Sequence, residues 1–208
     1  MDTAWALAWM QALAAAIDEK TDYLTQLDSA IGDADHGANM RRGFAAVLTA
    51  LNGFSAETAG DLLIKAGGTL ISSVGGASGP LYGSALRAMG KALREPAPSG
   101  ESLRAALAEG LAAIQRLGAA VPGDKTMVDA YAPALAAFEE ALQKGETAAA
   151  AAARAADAAE EGARATASLQ ARKGRASYLG PRSVGHQDPG ATSTALMFRA
   201  LAKSLAAS

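Results

Sequence analysis

The 208-residue sequence contains no cysteine. This absence excludes disulfide bonds, thiolate metal sites and cysteine nucleophiles. A chain of this length can bury a full hydrophobic core without cross-links, and its length favours one domain over two. We therefore expect residues 1–208 to form a single domain.

The sequence also lacks a large excess of charge, since 19 Lys and Arg residues stand against 21 Asp and Glu residues and give a net charge of −2. There is no basic field for nucleic acid and no polybasic segment for an anionic membrane. The most apolar run, residues 4–17, contains Gln11 and is too short to span a bilayer. Asp2 occupies the region where a signal peptide carries positive charge. We therefore predict a cytoplasmic protein that binds neither nucleic acid nor membranes.

Alternating strand patterns are almost absent, whereas apolar residues recur at helical spacing along nearly the whole chain. The clearest apolar stripes are Trp5, Trp9, Leu13 and Ile17; Tyr23, Leu24, Leu27 and Ile31; Phe44, Val47, Leu48 and Leu51; Leu62, Leu63, Ala66 and Leu70; Tyr82, Leu86, Met89 and Leu93; Leu103, Leu107, Leu111 and Ile114; Tyr131, Leu135, Phe138 and Leu142; and Leu196, Phe198 and Leu201. Thr58 to Asp61 has the sequence of a capping box before one of these stripes. The pattern predicts an all-α fold of about eight helices.

Residues 147–173 are so rich in alanine that they resemble a low-complexity linker. Because alanine is the best helix former, we predict a helix there instead, with Thr147 as its N-terminal cap and Gly174 at its end. Small side chains would also let neighbouring helices approach closely. Pro133 is expected to kink or divide the helix in which it lies.

Three connections differ from ordinary polar loops, and each directly precedes a predicted helix. They are residues 32–37 (Gly-Asp-Ala-Asp-His-Gly), residues 75–80 (Gly-Gly-Ala-Ser-Gly-Pro) and residues 183–190 (Ser-Val-Gly-His-Gln-Asp-Pro-Gly). In the last two, proline stands where a first helical turn tolerates it.

The first of these loops brings three acids close together in sequence. Asp28 is expected in the last turn of a helix, where a carboxylate opposes the helix dipole and needs compensation. Asp33 and Asp35 follow in the loop, and three such acids repel one another unless they are solvated or bound to a cation. A set of oxygen ligands without cysteine favours magnesium, calcium or manganese over zinc.

Composition alone leaves a second interpretation open, because short Asp/Gly loops are also common as solvated turns or helix caps. An EF-hand is excluded, since Phe44 stands where the closing bidentate glutamate would be.

Residues 75–80 have the character of an anion site. Consecutive glycines let backbone N–H groups approach phosphate oxygens, Ser78 adds a hydroxyl, and the next helix offers its positive end. The loop is not a Walker A motif, and residues 32–37 have its glycine spacing but are followed by Ala38 instead of lysine. A purely structural role, allowing two helices to cross closely, is equally compatible with the glycines.

The two histidines, His36 and His186, both fall in these loops, and we assign neither a catalytic role. Lys173, Arg175 and Arg182 precede or enter the third loop and are able to neutralise phosphate charge, although each taken alone fits a solvated basic turn. Residues 123–127 (Gly-Asp-Lys-Thr-Met) fit a capped helix start, with a methionine available for contact with a base or for core packing.

The motifs of nucleophilic hydrolases and zinc proteases are absent, including the Gly-x-Ser-x-Gly elbow and His-Glu-x-x-His. A metal site and a phosphate-binding loop without a nucleophile fit phosphoryl transfer, in which positioning and electrostatics supply most of the catalysis.

Taken together, the motifs closely resemble the nucleotide-binding L subunit of dihydroxyacetone kinases, in the same order and over nearly the whole chain. The residues that carry the resemblance are Asp28-x4-Asp33-x-Asp35-His36-Gly37, residues 75–80, residues 123–127, residues 174–180 (Gly-Arg-Ala-Ser-Tyr-Leu-Gly) and residues 185–190. The resemblance implies an antiparallel barrel or bundle of eight helices, with the nucleotide site in the loops at one end.

The resemblance also implies the roles of individual residues. Asp28, Asp33 and Asp35 would coordinate two Mg²⁺ ions that bridge the phosphates of ADP or ATP. The residues expected around the nucleotide are His36, Asn39, Ala77 and Ser78 on the phosphate side, with Gly118, Met127, Arg175, Asp188, Pro189 and Gly190 against the remainder.

In such kinases, dihydroxyacetone is held covalently on a histidine of a separate K subunit or domain, which would explain why no nucleophile is found here. A free-standing L subunit resembles the phosphotransferase-system type, in which bound ADP is recharged by a phosphohistidine on an M subunit. Alternatives are an L-type subunit of a directly ATP-dependent kinase for another sugar or an acyl substrate, and a non-catalytic regulatory adaptor. The three intact acids argue against the adaptor.

Overall fold

A computed structural model describes residues 1–207, and all regular secondary structure in this range is helical. The α-helices are α1 (Thr3–Glu19), α2 (Thr21–Ile31), α3 (His36–Leu51), α4 (Ala59–Ser73), α5 (Ser78–Ala92), α6 (Gly100–Gly118), α7 (Val128–Gln143), α8 (Ala148–Ala165) and α9 (Pro189–Ala206). Two 3₁₀ helices, Thr166–Ser168 and Arg175–Ser183, lie between α8 and α9. The all-α prediction is confirmed.

Eight of the nine α-helices form a closed ring. Each helix from α3 to α9 packs on the next, α9 packs on α1, and α1 packs on α3. The short α2 lies against α3 and α9. The core inside the ring contains Trp9, Phe44, Tyr131 and Phe198, all fully buried, and Tyr131 meets Phe198 edge to face with ring centroids 4.9 Å apart. None of the helices in residues 1–207 combines the length and hydropathy of a bilayer-spanning segment.

The predicted apolar stripes are largely confirmed, with one exception in α2. Trp5, Trp9, Leu13 and Ile17 are buried in α1. The buried face of α2, however, consists of Thr21, Leu24, Asp28 and Ile31, whereas Tyr23 is 45% exposed. A carboxylate thus occupies an inward position that hydrophobic periodicity alone assigns to apolar residues.

Small residues allow several helices to approach almost backbone to backbone. A Cβ on Gly60 would collide with the carbonyl oxygen of Gly90, and one on Gly67 would lie 2.5 Å from that of Gly83, so α4 and α5 pack closely. The buried face of α8 consists only of alanine: Ala151, Ala152, Ala155, Ala156, Ala159 and Ala163. The alanine-rich stretch is therefore a packed helix, and Thr147 caps it by accepting a hydrogen bond from the Ala150 N–H.

One expectation about a helix end is wrong. The alanine-rich helix ends at Ala165 instead of continuing to residue 173, because Thr166 turns inward, is fully buried and donates its hydroxyl to the Ala163 carbonyl. Pro133 does not divide α7, which runs through it. Proline cannot donate to the Asp129 carbonyl one turn earlier, and Gly162 of α8 packs against that oxygen.

The up-and-down order of α2 to α9 places the C-termini of α2, α4, α6 and α8 beside the N-termini of α3, α5, α7 and α9. We call this the loop end; its connections are residues 32–35, 74–77, 119–127 and 166–188. The opposite end, which we call the far end, holds the turns before α4, α6 and α8.

Candidate functional site

A cavity of about 310 Å³ opens at the loop end and is lined by all four of its connections. All thirteen residues singled out from the sequence for the site line it: Asp28, Asp33, Asp35, His36, Asn39, Ala77, Ser78, Gly118, Met127, Arg175, Asp188, Pro189 and Gly190. The structure thus brings together residues that are up to 162 positions apart in the chain (190 − 28). Their individual roles stay predictions.

The three acids converge on one point. One carboxylate oxygen from each of Asp28, Asp33 and Asp35 lies within 4.8 Å of the other two, and only Asp28 is buried. Asp28 Oδ2 accepts hydrogen bonds from the backbone N–H of Asp35 at 2.8 Å and of His36 at 3.1 Å. These N–H groups belong to the positive end of α3, so they supply the compensation that a carboxylate in the last turn of α2 requires.

The backbone between these acids is tightly constrained. A Cβ on Gly32 would collide with Asp28 Oδ1, so glycine is needed for Asp28 to turn toward the loop. Ala34 has a φ of 60°, a left-handed conformation that is unfavourable for a residue with a Cβ. Non-glycine residues in this region are typically held there by their surroundings at functional sites.

The donor set fits a hard divalent cation. All the converging ligand atoms are carboxylate oxygens, which Mg²⁺ prefers, and the two outer carboxylates are accessible from the cavity. Arg175 reaches the same place, since its Nη2 lies 3.1 Å from Asp33 Oδ2 while its side chain remains 68% exposed. A cationic side chain therefore stands beside the acids at the mouth of the cavity.

His36 links three helix starts at the floor of the cavity. Its Nδ1 lies 3.1 Å from Ser78 Oγ at the start of α5, and its Nε2 lies 2.9 Å from Ser193 Oγ, the fifth residue of α9. Burial lowers the pKa of the imidazole, and this effect outweighs the raising effect of Asp28 and Asp35. His36 therefore acts as a neutral hydrogen-bonding link that fixes the relative positions of α3, α5 and α9.

Tyr82, Ser193 and Thr194 extend this link and were not identified from the sequence. The Tyr82 hydroxyl lies 2.7 Å from Ser193 Oγ and 2.8 Å from Thr194 Oγ1, and burial raises the pKa of Tyr82. Apolar periodicity places Tyr82 on an inward-facing stripe but carries no information about the partner of its hydroxyl group. Ser193 and Thr194 lie in α9, on a face that only the folded arrangement identifies as inward.

The glycine loop before α5 offers backbone donors to the cavity. Gly76 has a φ of 69°, which favours glycine, and the N-cap position of α5 is Ala77, whose side chain has no acceptor. The positive end of α5, with Ser78 at its first position, therefore lines the same cavity as the three acids. This arrangement is suited to an anion held together with a cation.

The remaining predicted residues divide into those inside and those outside the cavity. Asp188 is buried and caps α9 by accepting the Ala191 N–H at 2.7 Å; its burial raises the pKa of Asp188 to about 7. Lys173 lines the cavity. His186 and Arg182 are exposed and do not line it.

The start of α7 is capped by a residue of its own first turn, since the Asp129 carboxylate accepts the Thr126 N–H at 2.8 Å.

Comparisons with known proteins identify a family and relatives that bind a nucleotide. A family model described as DAK2 domain matches residues 30–203. The chain is 42% identical over 195 residues to the ADP-binding subunit DhaL of the PEP-dependent dihydroxyacetone kinase of Escherichia coli K12, covering 93% of each chain. It is 43% identical over 195 residues to the ADP-binding subunit DhaL of the PTS-dependent dihydroxyacetone kinase of Lactococcus lactis, covering 94% of each.

Among solved structures, the dihydroxyacetone kinase from C. freundii in complex with AMP-PNP and Mg²⁺ matches 97% of this chain with a TM-score of 0.72 and 27% sequence identity. The match covers 34% of that kinase, so the chain spans about a third of its length. The family model and two relatives of matching length, each more than 40% identical, lead to one conclusion. The chain belongs to the DAK2 domain family.

Proposed function

We propose that this protein is the ADP/ATP-binding subunit of a dihydroxyacetone kinase, which transfers a phosphoryl group from Mg²⁺-bound nucleotide to dihydroxyacetone held on a separate K subunit. One observation carries the proposal: three convergent carboxylates and the start of α5, whose N-cap residue makes no side-chain bond, line a single cavity. A nucleotide with its phosphates between a bound cation and a helix N-terminus fits both features.

Asp28, Asp33 and Asp35 would hold the metal, two Mg²⁺ ions in this proposal. Bound Mg²⁺ would neutralise charge on the phosphate oxygens and fix their geometry. Asp28 is itself held by two backbone N–H groups of α3, so its carboxylate is oriented before any ion arrives. The two outer carboxylates keep free oxygens for the cation.

The phosphates would lie against Ala77, Ser78, His36 and Asn39. Ser78 Oγ is a hydrogen-bonding partner of the neutral His36 ring, so the serine hydroxyl is held at the floor of the cavity. Asn39 is buried and accepts a hydrogen bond from Arg42 Nη2 at 2.7 Å, which leaves its amide N–H₂ group available.

The remainder of the nucleotide would lie between Gly118, Met127 and the turn at residues 188–190, with Arg175 at the mouth of the cavity. Met127 is 5% exposed and provides an apolar wall for a base. Arg175 would exchange its contact with Asp33 for phosphate oxygens when Mg²⁺ binds the acids.

The chemistry of the site is positioning and electrostatic stabilisation. The serine–histidine contact of the cavity, Ser78 with His36, has no carboxylate on the second imidazole nitrogen, which contacts Ser193 Oγ instead. An arrangement without an oriented base fits an acceptor on another subunit. The similarity to DhaL subunits named PEP-dependent and PTS-dependent supports recharging of bound ADP by a phosphohistidine on an M subunit. The K and M subunits and the cytoplasmic location stay predictions.

A directly ATP-dependent kinase cycle is the second candidate, because the C. freundii kinase with a related fold was crystallised with AMP-PNP. The two cycles differ in nucleotide turnover. We expect mass spectrometry of the purified protein, after long dialysis in Mg²⁺, to detect retained ADP. An empty site that exchanges ATP freely would favour the ATP-dependent cycle, and failure to bind either nucleotide would contradict both.

A further inference from the structure

Lys125 is a buried cation to which the proposed reaction assigns no part. It is 1% exposed and has a φ of 61°, so an unfavourable backbone conformation directs its side chain inward. Its Nζ lies 2.9 Å from the carbonyl oxygen of Thr166, 3.0 Å from that of Leu169, 2.7 Å from that of Ser183 and 2.5 Å from that of His186. All four carbonyls belong to the connection between α8 and α9.

The surroundings of this ammonium group resemble a site for a monovalent cation. Four backbone carbonyl oxygens converge on Nζ, and no carboxylate of residues 1–207 lies within ion-pair distance of it. Burial lowers the pKa of Lys125, opposed by the charge of Asp188. Convergent carbonyl oxygens are the ligand set by which proteins replace the hydration shell of K⁺. The lysine thus supplies a cation that is covalently tethered in its site.

The carbonyls come from a connection without an α-helix of its own. Residues 166–188 contain only 3₁₀ helices, yet they carry Arg175 to the mouth of the cavity and end in the turn that caps α9. Further bonds tie the same parts together: the Arg172 N–H donates to the Asp124 carbonyl at 3.0 Å, and the Asp188 N–H donates to Thr166 Oγ1 at 2.9 Å. Lys125 lies at the centre of these contacts.

We propose that Lys125 is a positioning residue: its ammonium group, a tethered cation within four backbone carbonyls, holds residues 166–188 in the conformation that places Arg175 and the 188–190 turn against the nucleotide. The inference rests on the proposed nucleotide site. It adds that the affinity for nucleotide depends on a cation that does not itself touch the metal-binding acids.

Lys125→Met tests the proposal, because methionine keeps a long side chain but removes the charge and the donors. We expect dissociation of Mg²⁺·ADP, followed by stopped-flow with a fluorescent ADP analogue, to accelerate about tenfold or more. Lys144→Met is the matched control, since Lys144 is exposed and follows α7 at the far end, and it should leave the rate unchanged. Wild-type affinity in the Lys125→Met variant would overturn the proposal.

Lys125→Ala separates the role of the cation from that of side-chain volume. With the tether removed, NH₄⁺ or K⁺ should re-enter the four carbonyls and restore Mg²⁺·ADP binding. Tetramethylammonium at the same ionic strength is too large and should not. A loss of binding that neither small cation relieves would overturn the tethered-cation proposal. If wild-type protein itself fails to bind Mg²⁺·ADP, the proposed function fails first, so the two failures are distinguishable.

Native-state hydrogen exchange of the wild-type protein keeps the proposal testable if the variants do not fold. The backbone N–H groups of Arg172, Gly185 and Asp188 all donate within this assembly. We expect them to exchange as one cooperative unit, and Mg²⁺·ADP to slow their exchange together. Independent exchange of the three, or no response to the nucleotide, would overturn the proposal.

Discussion

The two ends of the helical ring differ in how the first N–H groups of their helices find hydrogen-bond acceptors. At the far end, α4, α6 and α8 each begin with a residue whose own side chain accepts a first-turn N–H: Thr58, Ser99 and Thr147. At the loop end, the N-cap residues of α3, α5 and α7 make no such bond. Only α9, capped by Asp188, follows the far-end pattern.

Backbone strain follows the same division. The left-handed turns of the far end are formed by Gly53 and Gly145, which adopt this conformation at little cost. All three non-glycine residues with positive φ in residues 1–207, Ala34, Ala119 and Lys125, lie at the loop end. The far end is therefore arranged for stability, whereas the loop end retains backbone strain and, at α5, a helix start without a side-chain cap.

The largest expected difference between the ends concerns activity. Asp33→Asn should reduce Mg²⁺-dependent phosphoryl transfer, measured with the K partner, about a hundredfold or more, because it removes a metal-binding charge. Its helical circular dichroism should be unchanged, since Asp33 is partly exposed. The far-end control is Asp61→Asn, which alters a capping box and should leave the specific activity intact. Full activity in Asp33→Asn would contradict the metal-binding role.

The pH dependence of stability should have opposite signs at the two ends. The pKa of Asp188 is about 7 in the folded protein against 3.8 ordinarily, so the folded state binds more protons than the unfolded state between these values. Stability should therefore fall as pH rises from about 4 to about 7, by on the order of 4 kcal/mol for this group.

Urea unfolding of wild type and Asp188→Asn across this range measures the difference, since asparagine retains a capping oxygen but does not titrate. Hydrogen bonds from Thr58 lower the pKa of Asp61 at the far end, so its contribution has the opposite sign and is lost as pH falls through the folded pKa. A wild-type slope between pH 4 and 7 equal to that of Asp188→Asn would exclude the buried-acid account.

A smaller effect should come from Thr58→Ala at the far end. The substitution removes the side chain that accepts the Asp61 N–H and should lower the free energy of unfolding by about 1 kcal/mol. Activity per folded molecule should not change, because the residue lies at the opposite end from the cavity. Urea unfolding and an assay with the K partner measure the two quantities, and a loss of specific activity would break the division between the ends.

The smallest effect is expected at Ala34. Ala34→Gly relieves the left-handed conformation but makes the unfolded chain more flexible, so a net stabilisation of about 0.5 kcal/mol is expected. The looser acid loop should bind Mg²⁺·ADP more weakly, which calorimetry can measure. Gly145→Ala is the reciprocal change at the far end: at a φ of 79° it should destabilise the protein by about 1 kcal/mol without affecting binding.

Much of this architecture was predictable because its determinants are local. Helix positions follow from apolar periodicity, and the capping box at Thr58 and the glycine-proline loops each lie within a short segment of sequence. The end of α8 was not predictable, because it depends on Thr166 bonding to residues at positions 163 and 188. Inward-facing Asp28 was recognised as needing compensation, but its donors on α3 appear only in the folded chain.

The site residues were predictable through their motifs, whereas the residues that position them were not. Tyr82 and Ser193 meet across 111 positions, and Lys125 reaches carbonyls 41 to 61 positions away. Backbone carbonyls carry no sequence signal, since every residue has one. A buried lysine that binds only carbonyls is therefore indistinguishable, in the sequence, from one on the surface.

The alanine face of α8 also bears on how this protein tolerates mutation. Six alanines that are at most 2% exposed leave no room for a longer side chain, and Gly162 next to them packs against the Asp129 carbonyl. The alanine-rich helix α8, whose composition resembles that of a low-complexity linker, should thus rank among the segments least tolerant of substitution in a saturation-mutagenesis experiment. Low sequence complexity here reflects a spatial constraint, and homologues are expected to vary more in the polar turns of the far end than along this helix.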